Sequence, residues 1–384
     1  MIGYKRLNNS IGIRNYILIM SAADNVNPLA KKISSQIKNS IYLPASYGRG
    51  QLGFDHDYFL TCMAGLADNP NIFKTIIVSM DGDSADWIVN KSNRKKDIYK
   101  ITFMKSFGIK DCIKQALSLE KKINSEKKKI KKVKFTYKDL VLGLECGGSD
   151  TTSGLVANPC VGMFVDKLIN NKGSAIFSEP VECLGGEESL IKRIKRKNLK
   201  KKLINVIYKY QKIAANNNVN LTGINPTPDN IRGGLSTIEE KSLGAISKSG
   251  SKEIVDIIDF GNKIKKKGLN LLDAPAAAVE NLTALSAAGC QIILFTTGGG
   301  NPVGNPISPT IKITANSKSF NKFKDLIDID LSFLLNSLDY EKGSIKIEKK
   351  INSIINKSKT LSEKNKFLET NISRFGPSIW KIKF

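Results

Sequence analysis

The feature that most constrains this sequence is a repeated junction, at which a short apolar run breaks off into a carboxylate or a glycine cluster. VLGLE (141–145) leads straight into Cys146-Gly147-Gly148-Ser149-Asp150, and SAIFS (174–178) ends at Glu179. LNLLD (269–273) stops on its own carboxylate, and QIILFT (291–296) precedes the glycine-rich stretch 298–305. Short apolar runs bounded by polar residues read as buried strands. Helical segments separate them, at 161–170, at 190–216 (long, basic and amphipathic), at 238–246 and in the alanine-rich 274–288. Strands alternating with helices specify a parallel sheet, and in such sheets ligands sit outside the carboxyl ends of the strands. The N-terminal third repeats the pattern, with strands at 15–20 (NYILIM), 72–79 (IFKTIIVS) and 101–103 and a helix at 29–37. The expected fold class is therefore α/β, as two Rossmann-like open-sheet α/β domains with the active site at the strand C-terminal ends. The expected order is an N-terminal α/β domain (1–118), a charged helix or linker (119–138), a C-terminal α/β catalytic domain (139–335) and a Lys-rich helical tail (336–384).

Charge sets further limits. The 384-residue chain carries 60 Lys+Arg against 35 Asp+Glu, a formal net charge of +25. Only eight of those cations are Arg, whereas nucleic-acid readers favour the bidentate guanidinium. The Lys runs at 120–134, 192–202, 263–267 and 342–366 read as solvated helix faces, so no nucleic-acid partner is expected. One His excludes a multi-His metal site built by this chain alone. The six Cys form no C-x-x-C pair, which points to a reducing cytoplasm. No apolar run reaches the ~18–20 residues of a membrane span, and the stretch 16–23 lacks a signal-peptide layout. Neither glycine cluster fits the dinucleotide or P-loop pattern.

Three longer stretches carry a more specific signal. GLECGGSDTTSGLVANPCVG (143–162), GGLSTIEEKSLGAISKSG (233–250) and FTTGGGNPVGNP (295–306) resemble the large-subunit core of the altronate/galactarate dehydratase family. That family also includes the sulfolactate sulfo-lyase large subunit. GYKRLNNSIGIRN (3–15) is similar to the family's opening motif, with Asn9 where a Gly is usual, and SYGRGQLG (46–53) resembles another family segment. The resemblance extends over about 3–331. It implies a hydro-lyase that dehydrates a sugar acid such as altronate or galactarate to a 2-keto-3-deoxy acid, by metal-assisted proton abstraction and β-elimination. One alternative is the sulfo-lyase reaction, which gives pyruvate and sulfite from (2R)-sulfolactate. Another is a non-catalytic subunit that binds a carboxylic acid. Single-chain relatives have a small domain ahead of the point where this chain starts. The resemblance therefore also implies a separate small subunit of the SAF (β-clip) type and a homo-oligomer of that heteromer. It further implies a divalent metal, Fe(II) with Mn(II) as the alternative, for which Cys146, Glu182 and Asp273 are candidate ligands beside Glu179 and Glu187.

The residues themselves suggest roles for such chemistry. Arg49 and Arg232 are rare Arg in glycine-containing loops, and a guanidinium fork suits a substrate carboxylate; the alternative is an ordinary surface Arg. His56 is the one ordinary neutral-pH proton shuttle, with surface capping as its alternative. Lys241 and Lys312 are further candidate bases, because a buried Lys titrates near neutrality, and a structural ion pair is the alternative for each. Ser149, Asp150, Ser153, Asn158, Thr297 and Asn305 are candidates for binding substrate hydroxyls, against the turn-capping roles these residue types commonly take. Arg14 reads as an anchor of the first strand.

Overall fold

The computed structural model describes residues 1–51, 53–216, 218–219 and 225–374. Two short strands, β1 (Ile2–Lys5) and β2 (Ile11–Gly12), open the chain. A four-stranded parallel sheet follows, built from β3 (Tyr16–Ser21), β4 (Ser40–Leu43), β5 (Ile72–Ser79) and β6 (Ile98–Thr102) in the order β4-β3-β5-β6. Every residue of β5 is buried, as expected of a parallel strand covered on both faces. Even Lys74 is tucked in, its ammonium 2.9 Å from Asp97 and 3.0 Å from Glu126. The first part of the segment expected as a charged helix or linker is the end of the helix Ile109–Lys128, which packs Cys112, Ala116 and Ile123 inward. It leads into β7 (Lys132–Lys134), which returns to pair with β1.

The second unit is a seven-stranded parallel sheet. Its strands are β8 (Val141–Cys146), β9 (Ser174–Phe177), β10 (Ile254–Ile258), β11 (Leu269–Leu272), β12 (Ile292–Thr296), β13 (Thr310–Thr314) and β14 (Ile329–Asp330). Their spatial order is β10-β11-β9-β8-β12-β13-β14. From β8 the chain passes to β9, goes out to the edge strand β10, returns to β11 between them, and then crosses to β12 on the opposite flank of β8. This reversal makes the carboxyl ends of β8 and β12 the switch point of the sheet, where open sheets place ligands. Register puts Glu145 beside Phe295 and Phe295 beside Lys312, so one row crosses three strands.

The two units share an apolar core. Leu18, Met20, Phe59 and Met63 of the first unit join Leu282, Leu285 and Phe295 of the second in one buried cluster. Polar ties reinforce it: the Asn69 amide donates to the carbonyls of Ser286 (2.7 Å) and Cys290 (3.0 Å), and that of Asn71 to Gln291 and Ile307.

The tail is part of the body as far as residue 374. The helix Tyr340–Ile355 buries Ile347, Ile351, Ile354 and Ile355 in the core of the second unit. The Arg14 guanidinium clamps Glu363 and the carbonyls of Ile354 and Ser358, so the side chain read as an anchor of the first strand instead holds the C-terminal segment. The remainder of the expected tail, 375–384, lies outside the described residues. Among the described residues, no helix is long and apolar enough to cross a membrane.

Candidate active site

At the carboxyl ends of β8 and β9 lies a cluster of ionisable side chains sealed from solvent. Glu145, the penultimate residue of β8, is 1% exposed, and one carboxylate oxygen accepts from the Asn281 amide. Its other oxygen, Oε1, has no hydrogen-bond partner. Glu179 follows β9 in a left-handed conformation (φ 66°) just before Pro180, a backbone cost of the kind that collects at functional sites. Glu182 lies one short turn on. Two lysines from the helix Ile238–Ser247 and its C-terminal end face these carboxyls. Lys248 Nζ is 3.4 Å from Glu179 and 3.9 Å from Glu182, and Lys241 Nζ is 3.0 Å from Glu182. Lys241 also donates to Asn225 Oδ1 at 2.5 Å. That helix starts where it does because Thr237 accepts from the Glu240 N–H at 3.1 Å, an N-cap.

The electrostatics follow from burial and crowding. Burial pushes the Glu145 carboxyl up to about 8, and Glu182 nearby adds to the rise. Burial likewise raises Glu179 well above the usual carboxyl range, with Glu145 and Glu182 reinforcing it. Burial disfavours the Lys248 charge, but Glu179 and its neighbours outweigh that and hold the ammonium charged. Three carboxyls thus share two ammonium groups, and a carboxyl retains its proton at neutral pH.

A second polar layer sits beside this cluster. Cys146 Sγ lies 2.9 Å from Ser149 Oγ, and the Asn158 amide reaches Cys146 Sγ at 3.5 Å and the Gly244 carbonyl at 2.9 Å. Thr296 Oγ1 donates to Asn158 Oδ1 at 2.6 Å. Asp150 caps the following helical turn, accepting from Ser153 and Thr152, while Asn316 donates to its other oxygen at 2.8 Å. Gly298 packs so tightly here that a Cβ would fall 2.1 Å from Asp150 Cγ. Thr297 accepts from the Gly300 N–H, and Asn305 organises its own turn through Ile307 and Ser308. Ser149, Asp150, Ser153, Asn158 and Thr297 are therefore brought together, largely by bonds to one another and to adjoining backbone.

The remaining sequence candidates land differently. Lys312 is buried under the glycine-rich loop, donates to the Val303 carbonyl and lies 4.3 Å over the Phe295 ring. Burial lowers it to about 7 against the pull of Glu145 and Asp328. Arg232 is exposed and pairs with Asp229 within its own short helix, although the next residue, Gly233, packs on Asp150. Arg49 and His56 share a separate cleft whose lining comes entirely from residues 48–87. Asp273 bonds Lys209 at 2.5 Å and Tyr210 at 3.0 Å, and Glu182 bonds the lysines. Among the described residues, no three Cys, His, Asp or Glu side chains gather as metal ligands. Cys146, Glu182 and Asp273 each point to other partners, and the arrangement as it stands does not fit a metal.

Against this geometry, the chain matches the family profile described as D-galactarate/altronate dehydratase, C-terminal, over residues 137–378. It also matches the profile of D-galactarate dehydratase/altronate hydrolase, second domain, over residues 3–128. This chain belongs to the D-galactarate/altronate dehydratase family. It is 30% identical to the altronate dehydratase of Bacillus subtilis (strain 168), the match covering 98% of this chain and 78% of that protein. It is 32% identical to the (2R)-sulfolactate sulfo-lyase subunit beta of Chromohalobacter salexigens, covering 87% of this chain and 86% of that one. Galactarate dehydratase (L-threo-forming) of Escherichia coli (strain K12) is 35% identical over half of this chain. The chain is accordingly a lyase, as the motifs at its strand ends led us to expect.

Two members of the buried cluster escaped the sequence reading as candidates. Glu145 closes the VLGLE run, a position that marks it in hindsight. Lys248 carries no comparable mark among 60 cations.

Proposed function

We propose that this dehydratase-family chain is a catalytic subunit that removes water from a sugar acid such as altronate or galactarate, leaving a 2-keto-3-deoxy acid. The observation that supports this reading is the sealed Glu145, Glu179, Glu182 and Lys248 cluster at the switch point of the larger sheet. Dehydration breaks the C2–H bond next to the carboxylate and the C3–O bond, and the resulting enol tautomerises to the 2-keto acid. It needs a base for the C2 proton, an acid for the departing hydroxyl, and positive charge beside the carboxylate as electrons move into it. Lys248 supplies that charge. Glu145, which holds its proton at neutral pH, donates it to the leaving hydroxyl, which departs as water. The Glu182 carboxylate, set between Lys241 and Lys248, accepts the C2 proton. Because these groups are closed off, the covering loops must part to admit substrate, and reclosure removes water and strengthens each interaction.

The test is a side-by-side assay of altronate, galactarate and (2R)-sulfolactate with a co-expressed small subunit, with and without Fe(II) or Mn(II), following 2-keto acid and sulfite. Keto acid without sulfite is expected, with a drop of about 10²–10⁴-fold in Glu145→Gln. Pyruvate with sulfite would transfer the site to the carbon–sulfur reaction. That second reading draws support from the nearly mutual coverage between this chain and the sulfo-lyase subunit, 87% and 86%. A folded protein inert towards all three acids would leave only carboxylic-acid binding.

A further inference from the structure

The smaller sheet has a switch point of its own. β3 passes through the helix Asn27–Gln36 to β4 on one side, and β4 passes through the helix Gly53–Ala67 to β5 on the other. The loop carrying residues 46–51 lies across that reversal. Gly48 (φ 102°) presses so closely on the turn after β3 that a Cβ would stand 2.2 Å from the Ala22 carbonyl oxygen. Beside it is a cleft of about 350 Å³, within the range of roughly 300–1,000 Å³ typical of small-molecule sites.

The cleft's lining is unlike a plain surface dimple. Gln51 is 8% exposed, and its Oε1 accepts from the Gly48 N–H, yet its Nε2 has no partner. A buried amide donor left unmatched calls for an acceptor from outside. Arg49 meets Asp81 only at 3.5 Å, and its side chain is half exposed, so its fork is available for exchange. Asp81, whose Oδ1 caps the next helix by accepting from the Ser84 N–H, and Asp83 add carboxylate oxygens to the lining. Trp87, with the His56 ring edge-on at 5.0 Å, forms an apolar side.

We propose that this cleft is a second binding site, distinct from the elimination site, for a short polyhydroxy acid. The ligand carboxylate lies on the Arg49 fork and accepts from Gln51 Nε2. Its hydroxyls donate to Asp81 and Asp83, and its carbon chain runs along Trp87. The pairing of one cation with two carboxylate acceptors selects a polyol acid over a bare anion or a neutral polyol. The proposal stands on the cleft's own residues and holds whichever acid the larger sheet transforms.

The chain has two Trp, so a Trp380→Phe background leaves Trp87 as the single indole reporter. Fluorescence titration with galactarate, altronate, mannitol and acetate tests the assignment. Saturable responses to the two polyol acids are expected, with mannitol and acetate at least about tenfold weaker. Arg49→Ala should weaken binding about tenfold or more and Gln51→Leu severalfold, each with an unchanged melting curve, while Glu145→Gln leaves the response intact. Absence of a saturable response, an unaltered response in Arg49→Ala, or acetate binding as well as galactarate overturns the proposal. Loss of the response in Glu145→Gln overturns the separateness of the two sites.

Discussion

Replacing Lys248 by Met isolates the electrostatics of the buried cluster. The side chain is 2% exposed and stands 3.4 Å from Glu179, itself 1% exposed. At an effective dielectric of about 20, one such contact is worth about 5 kcal/mol. The variant does not lose all of this, because three carboxyls facing one remaining ammonium can bind one more proton. That uptake costs about 1.4 kcal/mol for each pH unit above an ordinary carboxyl pKa of about 4.3. The loss should therefore be about 4 kcal/mol at pH 7.5, close to the ~3–5 kcal/mol typical of a broken buried pair, and only about 1 kcal/mol at pH 5. Adding Glu179→Gln removes a carboxyl that would otherwise need the proton, so Lys248→Met/Glu179→Gln should recover much of the loss at pH 7.5. Urea unfolding followed by circular dichroism at both pH values reads these differences directly. Equal destabilisation at pH 5 and pH 7.5, or no recovery in the double variant, would refute the reasoning.

Further outcomes follow from neighbouring features. Glu145 holds its proton up to about pH 8 when folded but releases it near 4.3 when unfolded. Its contribution is thus complete below about pH 4.3 and lost as pH rises towards 8, at up to about 1.4 kcal/mol per pH unit; Glu145→Gln should flatten that decline in pH-dependent urea midpoints. Lys312 has the opposite sign. Its folded value of about 7 means a penalty that grows as pH falls from about 10.4 to 7, so Lys312→Met should gain on the wild type at pH 7 relative to pH 10 in the same titration. Arg14→Ala should cost about 3–5 kcal/mol by leaving the partly buried Glu363 carboxylate without its cation, with faster amide exchange over Tyr340–Ile355 as its mark. Gly298→Ala drives a methyl group into Asp150 and should cost about 1–3 kcal/mol together with most of the lyase activity, read by thermal melting and turnover.

The strands of both sheets were legible where apolar runs stand out from polar surroundings. β5 runs over the residues expected of it, 72–79, and β8 and β9 start where expected. β4 and β13 were not legible, because SIYL and TIKIT mix polar residues into short segments whose burial comes from the helices and loops around them. The same limit governs the site. Cys146, Ser149 and Asn158 were legible as members of one polar stretch, but their bonds to one another depend on a helix folding back over β8. Lys248 becomes distinctive only when the ends of β8 and β9 bring three carboxyls to it, a juxtaposition no local window contains. The Arg49 and His56 cleft was half visible in the SYGRGQ segment, while its other wall arrives from the turn after β5.

The seam between the two units has a consequence in time. Asn69 finds its carbonyl partners 217 and 221 residues later in the chain, and the apolar face of Gly53–Ala67 is covered by the helix Ala278–Ala287. A ribosome adding roughly 5–20 residues per second therefore delivers the cover roughly 10–40 s after the face that needs it. During that interval the nascent first unit presents Phe59, Met63 and Leu66 uncovered.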